Sequence, residues 1–133
     1  MKLLVKSVIL VLALLGSVLG GLRYMAYMEN PKFSIPSISD LEASGLVRAG
    51  WLPGYLPRSA TQIEGRYNID ASEVWASFRY RIGDVESVEY KCDKIAENGR
   101  GNKYLCPPLD TRTTTIILSN DGSGYYKSSH DAL

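Results

Sequence analysis

The sequence predicts an α+β domain that follows an apolar N-terminal helix. Three observations support this fold class: an uncharged apolar run near the N-terminus, two neighbouring segments in which apolar residues alternate with period two, and a later segment with helical spacing of apolar residues. After the apolar helix, the predicted order is a short helix and then β-β-α-β-β. We expect an antiparallel sheet with the main helix packed on one face.

Residues 1–28 have the features of an export signal. Lys2 and Lys6 precede Ser7 to Leu22, which carries no charged residue. An apolar run of about 20 residues can span a bilayer, and the lysines predict a cytoplasmic N-terminus. We therefore expect a single-pass inner-membrane anchor with the following domain in the periplasm. The alternative is cleavage before Gly21 and secretion of the domain to the periplasm. No cysteine follows the run, so lipid attachment at an N-terminal cysteine is not expected.

Residues 29–38 are predicted to be an extended linker, and residues 39–133 the small extracytoplasmic domain. The linker contains Pro31 and Pro36 and shows no hydrophobic periodicity. It would hold the domain away from the membrane.

A short helix is predicted to begin at Ser39, because Ser39 and Glu42 form an S-x-x-E capping box. It should end at Gly45 or Gly50. The segment WLPGYLP, Trp51 to Pro57, contains two prolines and cannot continue a helix, so we expect a rigid corner over the edge of the core.

A β-hairpin is predicted from Thr61 onward, with its turn at Asn68 to Ser72. The residues of its apolar face are Ile63, Gly65, Tyr67, Val74, Ala76, Phe78 and Tyr80. If Ile63 pairs with Phe78, Arg66 lies opposite Trp75, within reach of a cation–π contact. We expect Phe78 to be buried together with Trp51 and Tyr55 of the preceding corner.

The main helix is predicted to begin at Asp84, a good N-cap residue, and to end near Gly99. Its apolar face would consist of Val85, Val88, Cys92 and Ile95. A loop is expected from Gly99 to Arg112. The β-branched segment Thr113 to Ser119 and the segment Tyr125 to Ser128 are predicted to be strands joined by a turn.

The two cysteines of the chain, Cys92 and Cys106, both lie in the segment predicted to be exported. An even number of cysteines in an oxidising compartment normally forms bridges. The sequence therefore predicts a disulfide between Cys92 and Cys106.

Three motifs of the chain resemble those of small exported bacterial proteins that carry a YbbD-type head domain. The motifs are W-L-P at Trp51 to Pro53, L-P-x-S-A at Leu56 to Ala60, and W-x-S-F at Trp75 to Phe78. The resemblance covers Gly50 to Gly83. It implies an exported, membrane-attached small domain and implies no particular activity. This chain departs from the lipoprotein-anchored members because it lacks the cysteine to which lipid is attached.

Composition and motifs disfavour several classes of function. The net charge is +1, from 15 basic and 14 acidic residues, so nucleic acid is not an expected partner. One histidine and two bridged cysteines do not supply a zinc ligand set, and no small-molecule cofactor is expected. Asn120 to Gly124 is expected to be a hairpin turn, because the ligand that ends a calcium loop is missing.

Catalysis has a single weak candidate, since His130 lies beside Ser128, Ser129 and Asp131 and these are the residue types of a catalytic triad. Adjacency in sequence does not provide triad geometry, and residues near a terminus fray. We therefore expect a non-enzymatic protein. A small hydrolase that uses these residues is the third of our hypotheses, and the first two are given below.

The candidate partner-binding residues are Arg66, Trp75, Arg79 and Arg81, which the alternation places on the face opposite the apolar one. Trp and Arg are enriched in binding hot spots. The alternative interpretation is a sheet face that is merely solvated. Our first hypothesis is a membrane-anchored binding or accessory protein that recognises another exported or envelope protein, of which a toxin-neutralising immunity protein is one form.

The second hypothesis is a periplasmic inhibitor of a lysozyme-like enzyme. The segment Ser123 to Tyr126 is similar to the S-G-x-x-Y loop of periplasmic lysozyme inhibitors. The pattern Tyr90-x-Cys92 is similar to the strand that carries their cysteine, although here Cys92 falls in a helical pattern.

Overall fold

The computed structural model describes residues 1–130. The chain divides into two units: the first is Met1–Pro31, and the second begins at Lys32. The first unit contains helix α1, Lys2–Glu29, which is 28 residues long. It is long and apolar enough to cross a membrane. The second unit, called the head here, contains the sheet.

The head is built on a seven-stranded antiparallel sheet with the order β1-β2-β3-β7-β6-β5-β4. The strands are β1 Lys32–Ser37, β2 Thr61–Asn68, β3 Glu73–Arg79, β4 Asp93–Asn98, β5 Gly101–Leu109, β6 Arg112–Ser119 and β7 Ser123–Ser129. The two short helices are α2 Ile38–Ser44 and α3 Glu86–Lys91. The α+β class is confirmed, whereas the β-β-α-β-β arrangement is wrong because the sheet has three further strands.

The first of these further strands lies where we expected a linker. Strand β1 pairs with β2, with Ile35 opposite Ile63, and both side chains are buried. Pro36 fits because β1 is an edge strand, and a proline can be tolerated where one side of the strand has no ladder partner. The domain therefore begins at Lys32, and the prediction of a linker over residues 29–38 is wrong for β1.

Helix α2 is present, but its cap differs from the predicted one. The hydroxyl of Ser37, and not that of Ser39, accepts a hydrogen bond from the backbone N–H of Asp40 at 3.4 Å. The helix ends at Gly45, whose φ of 81° is readily adopted by glycine. Leu41 is buried under the sheet.

The predicted hairpin is confirmed as β2 and β3, and Arg66 lies directly opposite Trp75. A β-bulge interrupts the ladder between Thr61 and Glu64. The predicted pair of Ile63 and Phe78 falls inside this bulge, which shifts the register by one residue at the end of the hairpin. Bulges of this kind are common near sheet edges.

The long helix predicted from Asp84 is wrong. Helix α3 ends at Lys91, the backbone of Cys92 is extended, and Asp93–Asn98 forms strand β4. Ile95 therefore lies exposed on an edge strand. Asp84 does not cap α3: its carboxylate accepts a hydrogen bond from the backbone N–H of Ser59 at 2.8 Å. The hydrogen bond from the Ser59 side chain holds the pKa of Asp84 below its ordinary value.

The loop predicted from Gly99 to Arg112 is also wrong, because most of it is strand β5. The turn before it is closed by the side-chain oxygen of Asn98, which accepts hydrogen bonds from Arg100 and Gly101 at 2.8 and 3.1 Å. Strand β5 then pairs with both β4 and β6. The predicted strands at Thr113 and Tyr125 are confirmed as β6 and β7.

One face of the sheet packs against α2, α3 and the segment 45–60, which includes the corner formed by Trp51 to Pro57. The corner contributes Leu52 and Leu56, which are both buried. Phe78 is buried as predicted, whereas Trp51 and Tyr55 are only partly buried at the border of the core.

The disulfide between Cys92 and Cys106 is confirmed, with the two Cα atoms 4.2 Å apart. It ties the end of α3 to strand β5, so Cys106 lies in a strand and not in the loop that the sequence predicts.

Candidate functional site

The outer face of the sheet, defined as the face opposite the core, carries two rows of directly opposed side chains that cross several strands. The first row consists of Lys32, Arg66, Trp75, Lys127 and Thr115. The second row consists of Ser34, Glu64, Ser77, Tyr125, Ile117 and Lys103. Aromatic and cationic side chains thus meet in the middle of this face.

A shallow depression of about 610 Å³ lies on the outer face over strands β1, β2, β3 and β7. Arg66, Trp75 and Tyr125 are among the residues that line it. The strands approach closely here because β2 has Gly65, where a Cβ atom would lie 2.0 Å from the backbone oxygen of Trp75. Any side chain at this position would therefore push β2 and β3 apart.

The structure brings together two of the four predicted partner-binding residues. Arg66 and Trp75 are opposed in the depression. Arg79 lies farther along β3, where its guanidinium donates to the backbone oxygen of Asp121 at 3.1 Å. Arg81 follows the strand and is exposed, and its backbone N–H donates to the Ser59 hydroxyl at 2.9 Å.

The cation–π contacts among residues 1–130 do not include Arg66 with Trp75. They join Arg112 to the Trp51 ring at 5.1 Å and Lys91 to the Tyr90 ring at 5.4 Å. Arg66 is therefore the cross-strand neighbour of Trp75, but its guanidinium does not stack on the indole.

Sequence reasoning missed the other members of the depression. Lys32 and Ser34 lie in the segment that the sequence predicts to be a linker, so their pairing with β2 does not follow from the sequence. The signal for Tyr125 was present, because Tyr125 and Tyr126 are adjacent in a strand and must point to opposite faces. Tyr126 is fully buried, whereas Tyr125 is 40% exposed. Burial raises the pKa of Tyr125, and the charge of Arg66 lowers it in part.

A second polar cluster lies on the core side, where Arg112 is only 7% exposed. Its guanidinium donates to the backbone oxygens of Gly50 and Leu109 and lies against Trp51. The Trp51 ring in turn stacks on Tyr67 with the ring centres 4.7 Å apart. These contacts hold the proline-rich corner to the sheet, so the conspicuous Trp51 has a structural role.

The residues considered for catalysis do not form a site in the described part of the chain. Ser128 is buried, and its hydroxyl lies 3.2 Å from that of Thr114. His130 is exposed, and Asp131 lies outside the described residues. Within residues 1–130, no group of three or more His, Cys, Asp or Glu side chains is arranged to hold a metal ion.

A family model described as the YbbD head domain matches residues 29–79. The match contains β1, α2, the proline-rich corner, β2 and β3, and thus Arg66, Trp75 and Arg79 but not Arg81. It begins before the three motifs quoted above, in agreement with the finding that β1 belongs to the domain.

Neither the curated proteins nor the solved structures contain a significant match to the chain. The resemblance to the family is confirmed: from residue 29 to residue 79, the chain carries a segment similar to the YbbD head domain.

Proposed function

We propose that the chain is a non-enzymatic, membrane-anchored binding or accessory protein whose head recognises another exported or envelope protein. The observation that carries this proposal is the depression on the outer face, with Trp75 and Tyr125 beside Arg66. A toxin-neutralising immunity protein is one form that this function can take.

The outer face has the composition of a binding hot spot. Trp, Tyr and Arg dominate hot spots because they combine a large apolar area with a polar group. Trp75 is partly buried by its neighbours and so is already held in place before a partner binds, which lowers the entropy cost of binding. Tyr125 and Ile117 extend the apolar area along the second row.

Two features support a location outside the cytoplasm. Helix α1 is able to anchor the chain in a membrane, and the disulfide suits an oxidising compartment. Lys2 and Lys6 support an N-terminus in the cytoplasm and a head in the periplasm. Secretion of the head after signal cleavage is the alternative.

The lysozyme-inhibitor hypothesis finds no comparable support. It needs the segment Ser123 to Tyr126 as an exposed loop that enters an enzyme cleft. The segment lies instead in β7, the central strand of the sheet, where Gly124 packs against the ring of Phe78.

The substitution Trp75→Ala tests the outer face. We expect the affinity for the partner to fall about 30-fold or more, since a hot-spot residue contributes about 2 kcal/mol. The partner is first identified with a photoreactive amino acid placed at Ser77 in the full-length chain, and affinity is then measured with the purified proteins. Tyr90→Ala is the matched control, because Tyr90 is an exposed aromatic residue on α3, away from the outer face. Equal affinities of the two variants would contradict the proposal.

The membrane anchor is tested by fractionation. The full-length protein should stay with membranes after an alkaline wash, and deletion of residues 1–21 should make it soluble, because the deletion removes most of the apolar helix. A mature protein that begins at Gly21 or nearby would show cleavage, in favour of the secreted alternative.

A further inference from the structure

We infer that the outer face binds an acidic partner, and that Lys32, Arg66 and Lys127 receive its carboxylates on either side of Trp75. This inference rests on the proposed function and names the chemistry of the partner. The observation that supports it is that the sheet places three cations that are distant in sequence in one row.

Lys32 on β1 lies directly opposite Arg66 on β2, and both side chains are exposed. Like charges that face each other across two strands destabilise a sheet. On the other side of Trp75, Lys127 of β7 occupies the next position in the same row. The head thus holds three cations in one row, an arrangement that costs stability while nothing is bound.

Among the side chains that the structure describes, no carboxylate forms an ion pair with a cation of this row. Their ion pairs join Arg58 to Glu42 and Lys94 to Glu89 and Glu97. Glu64 lines the same depression but belongs to the second row, opposite Ser34 and Ser77.

The cations of the row do not reflect a basic composition. Residues 32–133 contain 12 basic and 13 acidic residues, since three of the 15 basic and one of the 14 acidic residues of the chain precede Lys32. The other carboxylates of the outer face, Glu73 and Asp93, lie at the start of β3 and on the edge strand β4. The centre of the face is therefore positive although the head as a whole is slightly acidic.

The shape of the site favours a protein over a membrane surface as the partner. The depression of about 610 Å³, which Lys32, Arg66 and Trp75 help to line, can accept a protruding segment. Lys127 is the next residue of the row after Trp75 and would pair with a carboxylate beside that segment. A bilayer of anionic lipids has the same charge but offers no protruding segment of this size. We therefore assign the site to an acidic loop or edge of an exported protein.

The experiment compares two charge-reversal variants of the full-length chain. The test variant carries Lys32→Glu and Arg66→Glu. The control carries Arg48→Glu and Lys91→Glu, which change the net charge equally at exposed positions away from the outer face. Both are measured against the protein that a photoreactive amino acid at Ser77 captures, at several salt concentrations.

We expect the test variant to bind about 100-fold more weakly than the control, because the introduced carboxylates would repel those of the partner. Reversal of the facing acidic residues of the partner to lysine should restore binding. The milder variant Lys32→Gln with Arg66→Gln should bind about 10-fold more weakly and lose part of the salt dependence, while its unfolding midpoint stays the same or rises. This last result would separate lost recognition from lost folding.

Three outcomes would overturn the inference. If Trp75→Ala weakens binding but the charge reversals match the control, the face binds a partner that is not acidic, and the proposed function stands. If neither change weakens binding, the proposed function fails as well. If no protein is captured at Ser77 and the test variant instead loses binding to vesicles of phosphatidylglycerol and phosphatidylethanolamine, the site recognises an anionic membrane.

Discussion

The substitution Phe78→Ala will lower the free energy of unfolding of the head by about 3–5 kcal/mol, the cost of truncating a large core side chain. Phe78 is only 2% exposed and lies in β3, beside the central strand β7. Its ring fills the space that Gly124 leaves, since a Cβ atom at Gly124 would lie 2.1 Å from the ring. It also packs edge-on against Tyr80, with ring centres 6.3 Å apart. Alanine would leave a cavity that these strands cannot close without breaking their ladder.

Urea unfolding of the chain that lacks residues 1–21 measures this loss. Ser77→Ala serves as the control because Ser77 is the preceding residue of the same strand and is exposed on the outer face. We expect the control to change stability by less than about 0.5 kcal/mol. A loss below about 1 kcal/mol for Phe78→Ala would mean that β3 presents its other face to the core.

Removal of the disulfide by Cys92→Ala with Cys106→Ala will cost about 3 kcal/mol, the value of the chain-entropy model for a closed loop of about 15 residues. The cysteines are 14 residues apart. The loop they close contains β4 and the turn into β5, and β4 is an edge strand whose residues are all exposed. Because β4 buries little apolar area, we expect the disulfide to contribute much of the free energy that holds β4 against β5.

Two measurements check this expectation. Unfolding midpoints of the double variant and of the oxidised protein give the loss of stability, and amide hydrogen exchange should show the largest loss of protection in β4. Thiol titration of the unreduced, denatured protein must find no free thiols. Two reactive thiols per chain in protein taken from the periplasm would refute the bridge and weaken the case for an extracytoplasmic head.

Local sequence patterns were sufficient to predict the elements whose hydrophobic period is visible within a single segment of the chain. The apolar helix, the hairpin of β2 and β3 and the strands β6 and β7 all show their period directly in the sequence. The neighbours Arg66 and Trp75 followed from the hairpin alone, since the turn sets which residues oppose each other. Because each of these inferences needs only residues that are close in sequence, they were correct.

The errors concern elements whose own sequence carries a weak or misleading pattern. Strand β1 alternates only over a few residues and contains a proline, and β4 contains mostly polar residues, so neither was predicted as a strand. Strand β1 pairs with β2, which follows only after α2 and the proline-rich corner, whereas β4 pairs with β5, the next strand in the chain. The apolar spacing of Val85, Val88, Cys92 and Ile95 predicted one long helix. Its second half is instead strand β4, which pairs with β5, and Cys92 between the two elements is bonded to Cys106.

The sequence by itself determined that an apolar helix precedes a small α+β domain, that the two cysteines are bonded, and that Arg66 and Trp75 are neighbours. Only the tertiary structure decided that Lys32, Arg66, Trp75 and Lys127 form one row, because the row crosses strands from three separate parts of the chain. The order of strands in a sheet is set by the burial of one common face, so the alternation within a strand shows which residues are exposed but not which strands become neighbours.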